Sequence, residues 1–294
     1  MFTRIDHVTV CVADLEQAIA QYRKLGFHVA MGGVHTGRGT HNAIAFNEAD
    51  YVELLAIRDA DEYRTAVARG QGDAGLDTYI AAGGGLRAIM IQSDDLTADV
   101  AAMRARGVDV SDATAGGRRT PDGVELRWKV ATLGPRNPLP IAFIEHLTPL
   151  ATRRAAVHAP AEQPNRVFSL ERSYIVVDDA EAAVALYARV LGMAPPSLQK
   201  GTVIMSHMAI FQIGPTGLGV VHPYADGPAA AALRRGAGPF QALYRTKSMG
   251  AAARWMSEQG LPPLERGVRN TGEQAMLATP KEACGAYIGF VGME

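Results

Sequence analysis

The stretch IDHVTVCVADLEQAIAQYRKLGF, residues 5–27, has the pattern of a strand followed by a capped helix. Apolar and polar or small side chains alternate from Val8 to Val12, the period of a strand with one buried face. Asp14 is a typical helix N-cap, and Gly26 stands where a left-handed residue ends a helix. Three apolar runs follow, near residues 27–34, 42–47 and 50–57. Together these features predict a βαβββ module.

The same pattern recurs three more times along the chain. The later caps and the glycines that end the helices are Asp95 and Gly107, Asp179 and Gly192, and Ser248 and Gly260. The distance from cap to glycine is 12, 12, 13 and 12 residues in the four copies. Unrelated helices would not usually agree so closely. We therefore predict four modules, at residues 3–58, 85–148, 167–223 and 238–292.

The segment between the second and third copies, residues 149–166, is rich in Ala and Pro and lacks periodicity, which indicates a linker. We expect an α+β protein with two tandem domains, residues 1–148 and 167–294. Each domain would pair two modules in a curved mixed sheet around a cleft, with the helices outside. The sequence leaves open whether the first module pairs with the second or with the fourth.

Composition narrows the classes of function. The 30 acidic and 29 basic residues nearly cancel, which argues against a nucleic-acid or membrane partner and favours a small molecule. Cys11 and Cys284 are far apart in apolar runs, as expected of buried thiols in a reducing compartment. No segment reaches ~18 consecutive apolar residues and the N-terminus lacks a signal-peptide pattern, so a cytoplasmic location is expected. Assembly as a homodimer is left open.

Paired βαβββ modules that open on an IDHV strand resemble the vicinal oxygen chelate (VOC) superfamily. Three segments are similar to its glyoxalase-like branch, within the fold shared by glyoxalases, bleomycin resistance proteins and extradiol dioxygenases: HTGRGTHNAIAFNEADYVELLAI, RTPDGVELRWKVATLG and LPIAFIEHL. The close resemblance covers residues 3–148, whereas residues 167–292 match only the module pattern. The second domain is therefore predicted to be degenerate.

The resemblance implies metal ligands on the first and last strands of paired modules, facing the cleft. It carries that role to His7, Glu53 and Glu145, while the remaining first-strand position is Ala88. Alternation supports the transfer, because His7 lies opposite the valine face of its strand and both glutamates are predicted to face the cleft. A further ligand from the intervening loop, His35 or His41, is left open.

One imidazole and two carboxylates suit a divalent ion such as Mn, Fe, Zn or Mg, with positions left for substrate oxygens. Glu53 and Glu145 are also the candidate catalytic residues for proton transfer. These residues predict a metal-dependent lyase or isomerase that acts on a small oxygenated substrate in the first cleft. Two other functions stay open: a metal-free protein that sequesters a small molecule, and a non-haem iron dioxygenase that cleaves rings.

Three further residues are candidate substrate ligands. Arg127 alternates with apolar neighbours in ELRWKV and would bind an anion if its face is the cleft; a solvated strand face is the alternative. His41 belongs to the glycine-rich segment HTGRGTHN, either a mobile lid or an ordinary hairpin connection. Tyr51 opens the strand that carries Glu53.

The second domain offers fewer ligands. Arg172 aligns with His7, and Gln241 holds the corresponding place in the fourth module. Its cleft is predicted to be degenerate, with anion binding as the alternative.

Overall fold

The structure, a computed structural model, describes residues 1–120 and 122–293. Its first half contains two βαβββ modules separated by two short helices. The elements of this half are β1 (Phe2–Cys11), α1 (Leu15–Lys24), β2 (Ala30–His35), β3 (Thr40–Phe46), β4 (Tyr51–Ile57), α2 (Ala60–Ala68), α3 (Leu76–Ala81), β5 (Gly85–Ser93), α4 (Leu96–Ala105), β6 (Thr114–Arg119), β7 (Glu125–Thr132) and β8 (Ile141–His146).

The second half follows a short helix in the segment predicted to be a linker and repeats this order, with one short helix between its modules in place of two. Its elements are α5 (Leu150–Ala155), β9 (Val167–Val176), α6 (Ala180–Leu191), β10 (Gln199–Gly201), β11 (Ser206–Ile213), β12 (Thr216–Pro223), α7 (Pro228–Leu233), β13 (Gly238–Thr246), α8 (Met249–Glu258), β14 (Glu265–Val268), β15 (Gln274–Ala278) and β16 (Tyr287–Gly292). No helix in the described residues is both long and apolar enough to cross a bilayer.

The helices α1, α4, α6 and α8 begin and end where the sequence predicts. Each predicted cap side chain accepts a hydrogen bond from the backbone N–H three residues further on. The four glycines that follow these helices have φ angles between 67° and 86°, a left-handed conformation that glycine adopts without strain. These local signals therefore set the helix bounds.

The strands form two eight-stranded mixed sheets with the same topology. The orders are β2-β3-β4-β1-β5-β8-β7-β6 and β10-β11-β12-β9-β13-β16-β15-β14. Because β1 pairs with β5 and β9 with β13, the first module joins the second and the third joins the fourth. The α+β fold of four βαβββ modules is confirmed, and the alternative pairing of modules one and four is wrong. The division into two independent domains stays a prediction.

The first sheet curls until its two edge strands meet. Arg118 on β6 donates from Nη1 to the carbonyl oxygen of Gly32 on β2. The helices α2 and α3 cover the concave face beside Cys11, and Val157, which follows α5, covers it beside Phe46. The concave face therefore surrounds a largely closed interior.

The opposite, helix-facing sides of the two sheets contribute to one hydrophobic core. Phe27, which follows α1, packs edge-on against Tyr244 of the second sheet with ring centroids 5.5 Å apart. The backbone N–H of Ile5 on β1 donates to Thr216 Oγ1 at the start of β12, over 2.7 Å. Full burial of a side chain such as Phe27 contributes roughly 1.5–3 kcal/mol. Shared packing of this kind holds β1 in a fixed position.

Candidate active site

A β-bulge in β1 brings two consecutive side chains into the interior of the first sheet. The register pairs Ile5 with Ile91 and His7 with Met90, and leaves Asp6 between them without a partner. Asp6 is fully buried, and its carboxylate lies 2.7 Å from His7 Nδ1 and 2.9 Å from His146 Nε2. Burial raises the pKa of Asp6, but the hydrogen bonds from His146 and His7 outweigh it and hold that pKa well below its usual range.

Ionised Asp6 determines which nitrogen of His7 is available. A carboxylate accepts hydrogen bonds, so Nδ1 of His7 must carry the proton that binds it. In the neutral ring, Nε2 is then an acceptor that points into the interior.

Glu53 is the residue that Nε2 faces. Its Oε2 lies 3.7 Å from His7 Nε2 and accepts a hydrogen bond from Thr9 Oγ1 over 3.0 Å. Its Oε1 accepts from Asn42 Nδ2 over 2.6 Å. Burial raises the pKa of Glu53, but electrostatic interactions with His7 and His35 and these two hydrogen bonds lower it below its usual range. An imidazole nitrogen and an ionised carboxylate are thus held facing each other.

Tyr51 fixes the plane of the His7 ring. The two rings stack with centroids 4.3 Å apart and an interplanar angle of 17°, and Phe46 packs against Tyr51 at 5.1 Å. Only 6% of the His7 side chain and 14% of the Glu53 side chain is exposed. Partial exclusion of water strengthens electrostatic interactions between groups in this interior.

A guanidinium group enters the same interior from the far edge of the sheet. Arg118 pairs with Leu126, whose side chain is buried on the concave face. Within residues 1–120 and 122–293, its hydrogen bond to the Gly32 carbonyl is the one polar contact that its side chain makes, and it forms no salt bridge. Burial lowers the pKa of Arg118 while the nearby Tyr51 and Glu53 raise it, and an arginine stays charged under such influences.

Gly32 allows Asn42 and Arg118 to approach the β2 backbone closely. A Cβ atom at position 32 would collide with Asn42 Oδ1 and lie 3.1 Å from Arg118 Nη1. Among the residues that the structure describes, Asn42 Oδ1 is buried without a hydrogen-bond partner, although Asn42 Nδ2 binds Glu53. This acceptor and the guanidinium thus both lie beside Gly32.

The structure does not bring Glu145 to His7 and Glu53. The β5–β8 register pairs Ile89 with Ile141, and alternation then puts Glu145 on the helix-facing side. There its Oε2 accepts from the backbone N–H of Leu96 over 2.9 Å, and its Oε1 lies 3.0 Å from Lys129 Nζ. The prediction that Glu145 faces the cleft was wrong because a curled sheet has apolar side chains on both its concave and its helix-facing side. Ile144 is buried on the concave side, so its apolar character did not identify the helix-facing side.

Two predicted substrate ligands also lie outside the interior. Arg127 is exposed on the face of β7 that Lys129 shares, so the solvated strand face is the correct interpretation. His41 pairs with Ala56 on the helix-facing side of β3; burial and Arg58 lower its pKa, while Glu16 on α1 raises it. Both predictions of a cleft-facing side chain were therefore wrong.

The other predicted residues do face the interior. Tyr51 stacks on His7, and His35 binds Thr40 through Nδ1 over 2.9 Å. Burial lowers the pKa of His35, which favours its neutral form. Ala88 pairs with Thr9 and contributes no donor.

The side chains present do not fit the predicted three-ligand metal centre. His7 Nε2 and Glu53 supply two donors, and Glu145 lies on the other side of the sheet. In the part of the chain that the structure describes, no three His, Cys, Asp or Glu side chains come together in a way that could hold an ion. Catalytic zinc sites typically have three protein ligands.

The second sheet has lost the corresponding groups. Its register pairs Gly219 with Tyr174 as the first pairs Glu53 with Thr9, so glycine replaces the carboxylate. Its interior is filled by an apolar cluster that includes Tyr174, Val176, Phe240, Leu243 and Val291.

A salt-bridge network lies at the bulge of β9, the counterpart of the bulge at Asp6. Glu171 binds Arg269 over 2.8 Å and Arg245 over 3.1 Å, and Arg172, which takes the place of His7, lies 3.3 Å from Glu171. Each of these arginines already lies against a carboxylate, and anion binding in this cleft stays a prediction.

Sequence reasoning missed five interior side chains: Asp6, Asn42, Arg118, His146 and Arg153. Asp6 stood in the quoted IDHV stretch, but a regular alternation would place it with the valines, and the bulge was not recognised. Arg153 comes from α5, in a segment predicted to be a linker, and its Nη1 lies 3.0 Å from His146 Nε2. No local signal pointed to Arg118, which reaches the interior only because the sheet curls.

Comparison with known proteins supports this architecture. A family model described as "Glyoxalase-like domain" matches residues 5–191, from β1 to the end of α6. No curated protein matches the sequence significantly.

Solved structures share the fold over nearly the whole chain. A hypothetical protein from Staphylococcus aureus has a TM-score of 0.69 at 12% identity, with 98% of each chain covered. A mutant 4-hydroxymandelate synthase from Streptomyces coelicolor has a TM-score of 0.68 at 12% identity, covering 100% of this chain and 94% of that one. A xylose isomerase-like TIM barrel/4-hydroxyphenylpyruvate dioxygenase fusion protein has a TM-score of 0.61 at 11% identity, covering 99% of this chain and 48% of the fusion. At such identities the likeness concerns the fold alone.

Proposed function

Because the chain belongs to the glyoxalase-like domain family of the vicinal oxygen chelate superfamily, we propose that the interior of its first sheet is an active site. Its activity would be of the isomerase or lyase kind, moving a proton on a small oxygenated substrate. The observation that carries this proposal is the 3.7 Å separation of His7 Nε2 and Glu53 Oε2, with each side chain held by its own hydrogen bonds.

His7 is the group suited to act as general base. Asp6 holds Nδ1 protonated, so Nε2 is free to accept a proton from a carbon next to a substrate carbonyl. The C–H electron pair then moves into an enolate. Return of the proton to another position completes an isomerisation, whereas loss of a leaving group completes an elimination.

Glu53 complements His7. Its lowered pKa makes it a weak base, but its carboxylate can accept a hydrogen bond from a substrate hydroxyl. After proton transfer, the imidazolium of His7 would lie between the carboxylates of Asp6 and Glu53. One negative charge on each side of the ring stabilises that cation, as the carboxylate does in a His–Asp pair.

The mechanism proposed above does not require a metal ion, although the family resemblance implies one. Metal dependence is therefore tested separately. A divalent ion would supply Lewis-acid stabilisation of an enolate. His7 and Glu53 are two donors, fewer than the two histidines and one carboxylate that a non-haem iron dioxygenase needs. The donor set therefore disfavours ring cleavage.

Exchange of substrate protons with solvent tests the proposal. The protein is incubated in D2O with lactate, glycerate, 2-oxobutanoate and hydroxyacetone, and loss of the α-proton signal is followed by NMR. At least one compound is expected to exchange faster with protein than without it. His7→Gln should lower that rate by roughly 10²- to 10⁴-fold, the usual contribution of a general base.

Glu145→Gln is the matched control, because Glu145 lies on the opposite face of the same sheet. Its exchange rate should stay close to that of the wild-type protein. Protein treated with EDTA should keep its activity, and activity regained only with Mn, Fe, Zn or Mg would replace this mechanism by the metal-dependent one. Ligand binding without exchange would instead favour the sequestering protein, and exchange that survives His7→Gln would refute the proposal.

A further inference from the structure

We infer that Arg118 binds an anionic group of the substrate, a carboxylate, so that the first interior selects small organic acids. This inference rests on the proposed function of the same site and names its substrate class. Arg118 is suited to the role because its charge has no carboxylate partner in residues 1–120 and 122–293.

The other arginines near this interior differ from Arg118. The Nη1 of Arg153 lies 3.6 Å from Asp6, and Arg4 lies 3.2 Å from Asp50. Arg154 donates to the carbonyl oxygens of Asn47 and Pro160 and lies over the ring of Phe46. Two of these three guanidinium groups thus have a carboxylate neighbour, and the third donates to two carbonyl oxygens. Arg118 faces Glu53 and Tyr51 with one carbonyl contact.

An unpaired charge in a partly buried site is costly. A substrate carboxylate would offset that cost, because the planar guanidinium can bind both oxygens of a carboxylate at once. Arg118 uses Nη1 for the Gly32 carbonyl, which leaves Nε and Nη2 for such a pair.

The strand β2 places no side chain against Arg118 at two consecutive positions. Gly32 has no side chain between Asn42 and Arg118, and a Cβ at Gly33 would lie 3.6 Å from Arg118 Nη1. Gly33 also has a φ of 140°, a conformation that residues with side chains rarely adopt. Two consecutive glycines therefore keep β2 side chains away from the guanidinium.

The position of Arg118 also suits the proposed chemistry. Asn42 links the two ends of the site, because it binds Glu53 through Nδ2 and its Oδ1 lies beside Gly32, where Arg118 is anchored. The guanidinium would offset the charge of a carboxylate held at Arg118 in the presence of Glu53, and would direct the neighbouring carbon toward His7. Arg118 would then determine substrate specificity and orientation, while His7 moves the proton.

Binding of acids and their matched amides tests the inference. Titration calorimetry is performed with lactate and lactamide, glycerate and glyceramide, and 2-oxobutanoate and 2-oxobutanamide. At least one acid should bind the wild-type protein about tenfold or more tightly than its amide. Arg118→Met should weaken binding of that acid roughly 10- to 100-fold, the effect of losing a charged hydrogen bond, and leave the amide unaffected.

Arg119→Met is the matched control, because Arg119 is the next residue on β6 and is exposed on the other face. It should bind the acid like the wild-type protein. Arg118→Lys retains a charge and should restore part of the preference for acids. If thermal unfolding shows that Arg118→Met is unfolded, acid binding by Arg118→Lys is compared with acid binding by Arg119→Met. Weaker acid binding by Arg118→Lys than by Arg119→Met then supports the inference, and equal binding overturns it.

Equal binding of acids and amides, no acid bound by the wild-type protein, or full acid binding by Arg118→Met would each overturn the inference. The proposed function fails separately. Acid binding through Arg118 without proton exchange would refute the catalytic role of His7 and leave the role of Arg118 intact. If the protein binds no acid but catalyses proton exchange on hydroxyacetone independently of Arg118, the role of Arg118 is refuted and the catalytic role of His7 is left intact.

Discussion

Glu53 and Gly219 occupy equivalent positions in the two sheets, one carrying a carboxylate and the other no side chain. Glu53 pairs with Thr9 across the β1–β4 ladder, and Gly219 pairs with Tyr174 across the β9–β12 ladder. In the first sheet the small Thr9 leaves space for the carboxylate and donates to it. In the second sheet the Tyr174 ring fills the space of the missing side chain. The duplicated fold thus keeps one polar interior and has converted the other into a core.

Gly219→Ala should destabilise the second sheet. A Cβ at this position would collide with the ring of Tyr174, which is packed in the apolar cluster and cannot move freely. Overpacking of this kind costs about 1–3 kcal/mol, measured as a lower free energy of unfolding in urea. Gly250→Ala on α8 is the control, because open space surrounds Gly250 and alanine should stabilise the helix by up to about 1 kcal/mol. Equal stability of the two variants would contradict this account of Gly219.

Glu145→Gln and Glu53→Gln should affect different properties. Glu145 accepts hydrogen bonds from Lys129 and from the backbone at the start of α4, so its loss should lower the free energy of unfolding by about 1–2 kcal/mol. Substrate binding should be unchanged in that variant. Glu53→Gln should instead weaken binding of a hydroxylated ligand by roughly tenfold, measured by titration calorimetry. Reduced ligand binding in Glu145→Gln would mean that Glu145 reaches the site after all.

Asp50 should make stability depend on pH. It is fully buried in the β3–β4 turn and accepts from the backbone N–H of Leu170 over 3.0 Å, although Arg4 lies 3.2 Å away. Burial raises its pKa from 3.8 to about 6, while hydrogen bonds from Asn47 and Leu170 oppose that rise. The folded state therefore binds more protons than the unfolded state between these two pH values, and the stability that Asp50 contributes is lost as pH rises through 6.

Asp50→Asn keeps an acceptor for Leu170 and removes the titration. From pH 4.5 to 7.5, the wild-type protein should lose about 2 kcal/mol of unfolding free energy relative to this variant. The comparison with the variant matters because His35, whose pKa burial lowers, acts in the opposite direction in this range. Glu48→Gln, an exposed carboxylate in the same turn, is the control and should leave the pH dependence as it is. Parallel pH profiles of Asp50→Asn and the wild-type protein would count against a raised pKa for Asp50.

Several expectations from the sequence stay predictions: the division into two domains, the small-molecule partner, the assembly state and the cytoplasmic location. Of the proposed ligands, His7 and Glu53 face each other, and Tyr51 lies on His7. Glu145, Arg127 and His41 face the other side of the sheet. Alternation correctly predicted the side of the sheet on which Glu53 lies, because β4 is regular and has its buried side chains on the helix-facing side.

The sequence by itself determined the repeated modules, because caps, helix-ending glycines and strand periodicity act through neighbouring residues and leave a local pattern. Only the tertiary structure decided which of these side chains meet. The bulge at Asp6 turns it into the interior beside His7, and the curl of the sheet brings Arg118 across from β6. Curling also buries both faces of the sheet, so an apolar residue such as Ile144 no longer marks the helix-facing side. Contacts of this kind depend on strand register and sheet closure, which single-strand periodicity does not contain.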